Sequence, residues 1–175
     1  MRLFIAINFN KEIRSRLVKL CEELRNDSTK GRFSLPENLH LTLAFLGECD
    51  EKQAAAAKTA MDVVEFQPFA INIGCTGCFR RRGGDIWWAG VSDSKKLTTL
   101  YDNLTNKLTE SGFHIEKRKF SPHITLGREI ITKASPRTFE EFGQTIYKIE
   151  LMKSERIAGK LTYTAIHETA FENIL

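Results

Sequence analysis

No stretch of this 175-residue chain approaches the ~20 apolar residues of a membrane-spanning helix. The apolar opening Leu3-Phe4-Ile5-Ala6-Ile7 is too short for the core of a secretory leader. A cytoplasmic protein with no membrane contact is therefore expected. Cysteine is scarce: only Cys21, Cys49, Cys75 and Cys78 occur. Cys75-Thr76-Gly77-Cys78 has no second ligand pair at finger-like spacing for zinc, and it ends a β-like run where a redox motif would open a helix. Reduced, inert thiols are expected, with Cys21 a small core residue. The sequence holds no phosphate-binding P-loop, no His-x-x-x-His for zinc and no carboxylate-rich cluster for magnesium, so no metal or cofactor is expected. Low-complexity segments and obvious linkers are absent too, and residues 1–175 read as one domain. A strong excess of one charge is also missing. The net charge of +4 and pI near 8.9 suit an anionic partner without requiring one.

What is present reads as a folded globular chain, with 42% hydrophobic and 27% charged residues. A chain of this length buries roughly 70% of its unfolded surface and needs no disulfide or metal to hold it. Arg2 to Ile7 reads as a buried strand. Asn10 is a helix N-cap before Ile13, Leu17, Leu20, Cys21 and Leu24 at helical spacing. Arg32 to Leu35 makes a short strand, Pro36-Glu37-Asn38 a turn, and Leu39 to Leu46 a strand. Asp50 caps a helix to about Val64. Phe69–Ile73 and Ile86–Val91 are strands joined through the basic segment Phe79-Arg80-Arg81-Arg82-Gly83-Gly84. Ser94 opens a third helix that Gly112 ends. Strands follow from Pro122 to about Ile130, near Thr145–Met152 and over Lys160–Ala170. Helices interspersed with hairpin-length connections favour an α+β fold with antiparallel sheets.

One signature occurs twice: His40-Leu41-Thr42-Leu43 and His123-Ile124-Thr125-Leu126. Side chains alternate on a strand, so His40, Thr42 and Ala44 should share one face, opposite Leu39, Leu41, Leu43 and Phe45. His123, Thr125 and Gly127 should likewise share a face, with Ala44 and Gly127 leaving room beside each polar pair. If the two strands flank a groove, two imidazoles and two hydroxyls converge on it. Two histidines suit in-line attack at phosphorus, one taking a proton from the nucleophile and one giving a proton to the departing oxygen. An imidazole pKa near 6.5 lets one be neutral and one protonated near neutral pH. The hydroxyls can donate to non-bridging phosphate oxygens. His114 and His167 lack this setting and are assigned surface or structural roles.

The set Arg2-Leu3-Phe4-Ile5-Ala6-Ile7, Asn38 to Gly47, Trp88-Ala89-Gly90-Val91, Phe120 to Arg128 and Leu151-Met152-Lys153-Ser154 resembles the 2H phosphoesterase superfamily. Within it, the RNA 2′,3′-cyclic phosphodiesterase branch, also called 2′-5′ RNA ligase-like, is the nearer match. The resemblance implies a bilobal α+β fold. Its two antiparallel sheets would be related by a pseudo-twofold around a central groove, with helices outside. It implies hydrolysis of RNA 2′,3′-cyclic phosphate ends to 2′-phosphomonoesters, with His40 as proton donor and His123 as proton acceptor. Thr42 and Thr125 would hold the phosphate, and so would Arg128. Strict alternation points Arg128 to the Leu126 face, away from the histidines, unless a bulge at Gly127 turns it back.

Arg80, Arg81 and Arg82 could track an RNA backbone or form a solvated basic loop. Trp87 and Trp88 could stack a base, but core packing is the reading for both. Rival functions are a phosphodiesterase for 2′-5′ linkages or another small cyclic phosphate, and an RNA-end-binding module without turnover. The same histidines could also run 2′-5′ RNA ligation in reverse. The expected partner is RNA with such ends, with no obligate protein partner and a monomeric state.

Overall fold

The computed structural model describes residues 1–116 and 118–171. Chain order is β1 (Arg2–Asn8), α1 (Lys11–Asn26), β2 (Ser28–Phe33), a 3-10 turn (Pro36–Asn38), β3 (His40–Glu48), α2 (Glu51–Asp62), β4 (Phe69–Phe79), β5 (Asp85–Val91), α3 (Lys95–Glu110), β6 (His123–Thr132), β7 (Thr138–Ile146), β8 (Lys148–Ile157) and β9 (Lys160–Ala170). The helices start where their caps predict. Asn10 accepts from the Ile13 amide at 2.9 Å, Asp50 and Gln53 close a reciprocal capping box, and Ser94 accepts from the Leu97 amide at 3.2 Å. Each such cap is worth about 1 kcal/mol.

All strand pairs are antiparallel, in the order β7-β4-β5-β6-β3-β1-β8-β9, with β2 added on β6. The two four-stranded halves match strand for strand: β3 with β6, β1 with β5, β8 with β4, β9 with β7. They meet at a single pair, Leu41 opposite Ile124. These are the middle residues of the two His-x-Thr motifs, both fully buried. The two expected sheets are thus hydrogen-bonded into one through the residues that separate each histidine from its threonine.

One face of the sheet carries the core. Leu3, Ile5, Ile7, Leu41, Ala89 and Ile124 pack with Ile13 and Leu17 of α1, Ala57 of α2, and Leu100 and Leu104 of α3. The opposite face is open, with a small buried apolar cluster of Phe4, Ala6 and Met152 that Tyr163 packs against. The amphipathic helices cover one side of the sheet, and the polar residues of the motif strands are left on the other.

Several elements differ from the sequence expectation. The run near Thr145–Met152 is two strands: β7 ends at Ile146 and β8 begins at Lys148, with half-exposed Tyr147 between them. β4 continues past Ile73 through Cys75 and Cys78 to Phe79. Within it Cys75 pairs with Gly90 and Cys78 with Trp87, on opposite faces of the sheet, and all four cysteines are free thiols. His167 Nε2 lies 2.8 Å from Asp62 Oδ1, tying β9 to the end of α2, a structural role.

Candidate active site

His40 and His123 are the first residues of β3 and β6, and each is oriented by the turn that precedes it. His40 Nδ1–H donates to the carbonyl of Asn38 at 2.7 Å, and His123 Nδ1–H donates to the carbonyl of Ser121 at 2.7 Å. A carbonyl can only accept, so each ring keeps its proton on Nδ1 and turns Nε2 outward. The Asn38 amide donates to the Leu161 carbonyl at 2.9 Å, fixing the 3-10 turn to β9. On the second copy, the Ser34 hydroxyl donates to the Thr125 carbonyl at 2.7 Å. The orienting groups at Asn38 and Ser121 are backbone carbonyls, which no residue-type signal announces.

The two copies differ at Nε2. His40 Nε2 lies 2.9 Å from the Thr42 hydroxyl. Among the described residues, His123 Nε2 has no hydrogen-bond partner. Each ring also sits in an aromatic setting: His40 beside Phe4 (4.8 Å between centroids) and Tyr163 (5.3 Å), His123 beside Phe79 (5.2 Å) and Trp88 (6.2 Å). Burial pushes both imidazoles below their ordinary pKa of 6.5. The carbonyl bonds oppose that shift, and the Arg128 charge adds to it at both rings. His40 also feels the charge of His123. Arg128 is therefore within electrostatic reach of both histidines.

The register explains how Arg128 gets there. Trp88 pairs with Thr125, but the next residue back, Trp87, pairs with Gly127, so Leu126 is an extra residue in β6. β3 does the same thing: Ala6 pairs with Thr42 and Ile5 with Ala44, so Leu43 is extra. In each motif strand a β-bulge falls directly after the threonine. Leu43 with Ala44, and Leu126 with Gly127, both turn toward the core. The residue after each pair returns to the open face, and those residues are Phe45 and Arg128. Both line a groove of about 770 Å³ together with His40, Thr42 and Thr125. A second irregularity follows in β6, where Glu129 has φ +54°.

Three sequence expectations are corrected by this. Ala44 and Gly127 do not leave room beside the histidines; they face the core, and a Cβ on Gly127 would lie 3.1 Å from the Arg32 carbonyl oxygen. Phe45 is not a core residue but is 52% exposed. Trp88, read as core, is half-buried on the His123 face, while Trp87 is buried as expected. The Trp88 indole lies flat over Gly77, where an added Cβ would come within 2.3 Å of the ring. Gly77→Ala should therefore push Trp88 off its bed and cost about 1–3 kcal/mol, as overpacking usually does. Chemical denaturation followed by tryptophan fluorescence reads both the lost stability and the altered native-state emission; unchanged values would show that the ring is not seated there.

The basic loop is less available than its sequence suggests. Arg80 pairs with Asp85 at 2.8 Å, the same carboxylate accepts from the Arg81 amide at 3.0 Å, and the Arg81 guanidinium donates to the Arg80 carbonyl. His114 is exposed and outside the groove.

The chain matches known proteins along this architecture. Residues 7–88 match the family model described as LigT-like phosphoesterase. The RNA 2′,3′-cyclic phosphodiesterase of Thermotoga maritima is 37% identical over 131 residues, covering 73% of this chain and 70% of that protein. The enzyme of that name from Archaeoglobus fulgidus is 35% identical over 151 residues, covering 81% and 85%. The crystal structure of Escherichia coli LigT complexed with 3′-AMP superposes with a TM-score of 0.86 at 26% identity, covering 97% of each chain. A sheet halved about two buried motif centres, with a histidine at the head of each motif strand, defines a two-histidine phosphoesterase. The chain belongs to the LigT-like phosphoesterase family.

Proposed function

We propose that this chain hydrolyses RNA 2′,3′-cyclic phosphate ends to 2′-phosphomonoesters by acid–base catalysis between its two histidines. The observation that carries this reading is the matched pair of imidazoles, each locked through Nδ1 by a backbone carbonyl, with His40 close enough to feel the charge of His123. His123 Nε2 takes a proton from water as its oxygen attacks phosphorus. The bond from phosphorus to the 3′-oxygen breaks, and His40 Nε2–H protonates that oxygen. The open Nε2 of His123 suits the acceptor role. Thr42 and Thr125 donate to the non-bridging oxygens, and the Arg128 guanidinium neutralises the charge gathering there. No step requires a metal or cofactor. With an RNA 5′-hydroxyl in place of water, the same groups form a 2′-5′ linkage. In this reading residues 1–175 act as one bilobal domain, a monomer working on RNA ends in the cytoplasm.

The pH dependence follows from the direction of the shifts. Catalysis needs His123 neutral and His40 protonated, and the product of those fractions peaks between their two pKa values. Burial places both below 6.5 in the free protein, so the bell-shaped kcat/KM profile should centre on the acid side of 6.5. A bound phosphate anion favours imidazolium, so the kcat profile should lie at higher pH than the kcat/KM profile. The test is turnover of an oligonucleotide ending in a 2′,3′-cyclic phosphate, with and without EDTA. A 2′-phosphate product formed equally well in chelator is expected. Loss of activity in EDTA would end the metal-free scheme, and binding without turnover would leave an RNA-end-binding module.

A further inference from the structure

The two bulges are not held alike. On one side β6 pairs with β5, and Leu126 is the extra residue there. On its other side β6 meets β3 at Ile124 alone, and from Leu126 onward that side is taken by β2. Phe33 pairs with Gly127 and Arg32 with Arg128, in step. Ser34 then spans the bulge. Its hydroxyl donates to the Thr125 carbonyl at 2.7 Å, and its amide donates to the Leu126 carbonyl at 2.9 Å. The Cys21 thiol, kept protonated by burial that pushes its pKa up to about 12, donates to the Leu126 carbonyl from α1 at 3.7 Å. β2 also grips the chain just after Arg128. Glu129 takes a left-handed conformation, φ +54°, and Arg32 holds its carboxylate at 3.1 Å. A non-glycine residue stays in that conformation only where its surroundings hold it there. The same ion pair matches the charge of Arg32, which would otherwise stand unmatched opposite Arg128. Among the described residues, no strand is added beside β3 in this way. The clamp thus exists only on the copy whose bulge presents a charge to the groove.

We propose that Ser34 is a positioning residue for the reaction: its two hydrogen bonds set the bulge of β6, and with it the places of Thr125 and Arg128 at the phosphate. The inference rests on the hydrolase reading and deepens it, extending the machinery to a residue that moves no proton and touches no reacting atom. A hydrogen bond to a strand carbonyl would stabilise any sheet. These two join the carbonyl of the threonine to the residue whose insertion turns the arginine, so their loss displaces both groups together. A misplacement on the order of an ångström can cost about 10² in rate, out of proportion to any loss of stability.

Ser34→Ala should lower kcat/KM by about tenfold, mostly through kcat, and Ser34→Thr, which keeps the hydroxyl, should recover most of that loss. Thr29→Ala is the control. It removes another hydroxyl–carbonyl bond between the same two strands, from Thr29 to Ile131 at 3.4 Å, and should change nothing. Two readouts separate positioning from packing. In the Arg128→Ala background, Ser34→Ala should cost about threefold or less, because the group it aims is gone. In the free protein, imidazole titration by NMR should show His40 and His123 rising in Ser34→Ala toward their values in Arg128→Ala. The other charges on these rings are left in place: Arg14 and His123 at His40, Arg118 at His123. A loss that is fully additive with Arg128→Ala, that leaves both titrations unmoved, or that appears equally in Thr29→Ala overturns the assignment. The titrations need no substrate, so they keep the two readings separate. A wild-type protein without turnover whose histidines still shift in Ser34→Ala refutes the hydrolase and keeps the clamp. Hydrolysis with an unaltered rate and unmoved histidines in Ser34→Ala does the reverse.

Discussion

Replacing either His40 or His123 by alanine should lower kcat for a cyclic-ended RNA by about 10²–10⁴, with much smaller effects on KM. Each imidazole is asked to move a proton only as the bonds at phosphorus change, so its loss falls on the transition state more than on the bound substrate. The double variant should be far less than multiplicatively worse, because the two residues act as a unit. Neither change should cost much stability: both rings lie on the open face, apart from the helix-covered core. The single variants also test which ring does which job. If His123 is the base, His123→Ala removes the ascending limb of the pH profile and leaves a residual rate that falls with rising pH. If His40 is the acid, His40→Ala removes the descending limb. Exchanged limbs would reverse the assignment, and one variant retaining the wild-type rate would end the paired mechanism.

Much of this site was legible in the sequence because alternation is reliable up to the threonine. His40, Thr42 and Thr125 line the groove on the open face, His123 lies beside Trp88 on that face without lining the groove, and the apolar Leu41 and Ile124 between them do face the core. The reading failed one residue later, at the same place in both copies. A bulge is a property of two strands in register, so period-two counting along one strand cannot reveal it. From there Ala44, Phe45 and Gly127 were each assigned the wrong face, and only the glycine hinted that Arg128 could turn back. The helices were easier, since their caps and apolar stripes are local features. The break between β7 and β8 at Tyr147 was missed because no glycine or proline marks it. The two orienting carbonyls were invisible for a simpler reason: every residue has one. Trp88 was misplaced because the glycines that make room for its ring, Gly77 and Gly90, lie on other parts of the sequence.

Arg128→Ala should lower kcat/KM by about 10²–10³, the usual cost of removing one donor aimed at developing charge. Three observations place the guanidinium where it can act. The bulge at Leu126–Gly127 returns it to the open face, it lines the groove with His40, Thr42 and Thr125, and its charge depresses both imidazoles. Among the described residues it has no carboxylate partner, so its charge is not already matched. The same field gives a readout that a packing defect would not produce. Without Arg128, one cause of the low histidine pKa values disappears, and the bell-shaped kcat/KM profile should move to higher pH as the rate falls. Arg128→Lys keeps the charge but loses the planar fork. It should therefore hold the profile near its wild-type position while recovering only part of the rate. If Arg128→Ala kept wild-type kcat/KM and an unmoved profile, the bulge would serve the shape of the sheet alone. The phosphate would then have to be held by Thr42 and Thr125 without a cation. Two hydroxyls cannot neutralise the charge that builds on the phosphoryl oxygens, and so the arginine behind the second motif is the group on which the rate should depend most after the histidines.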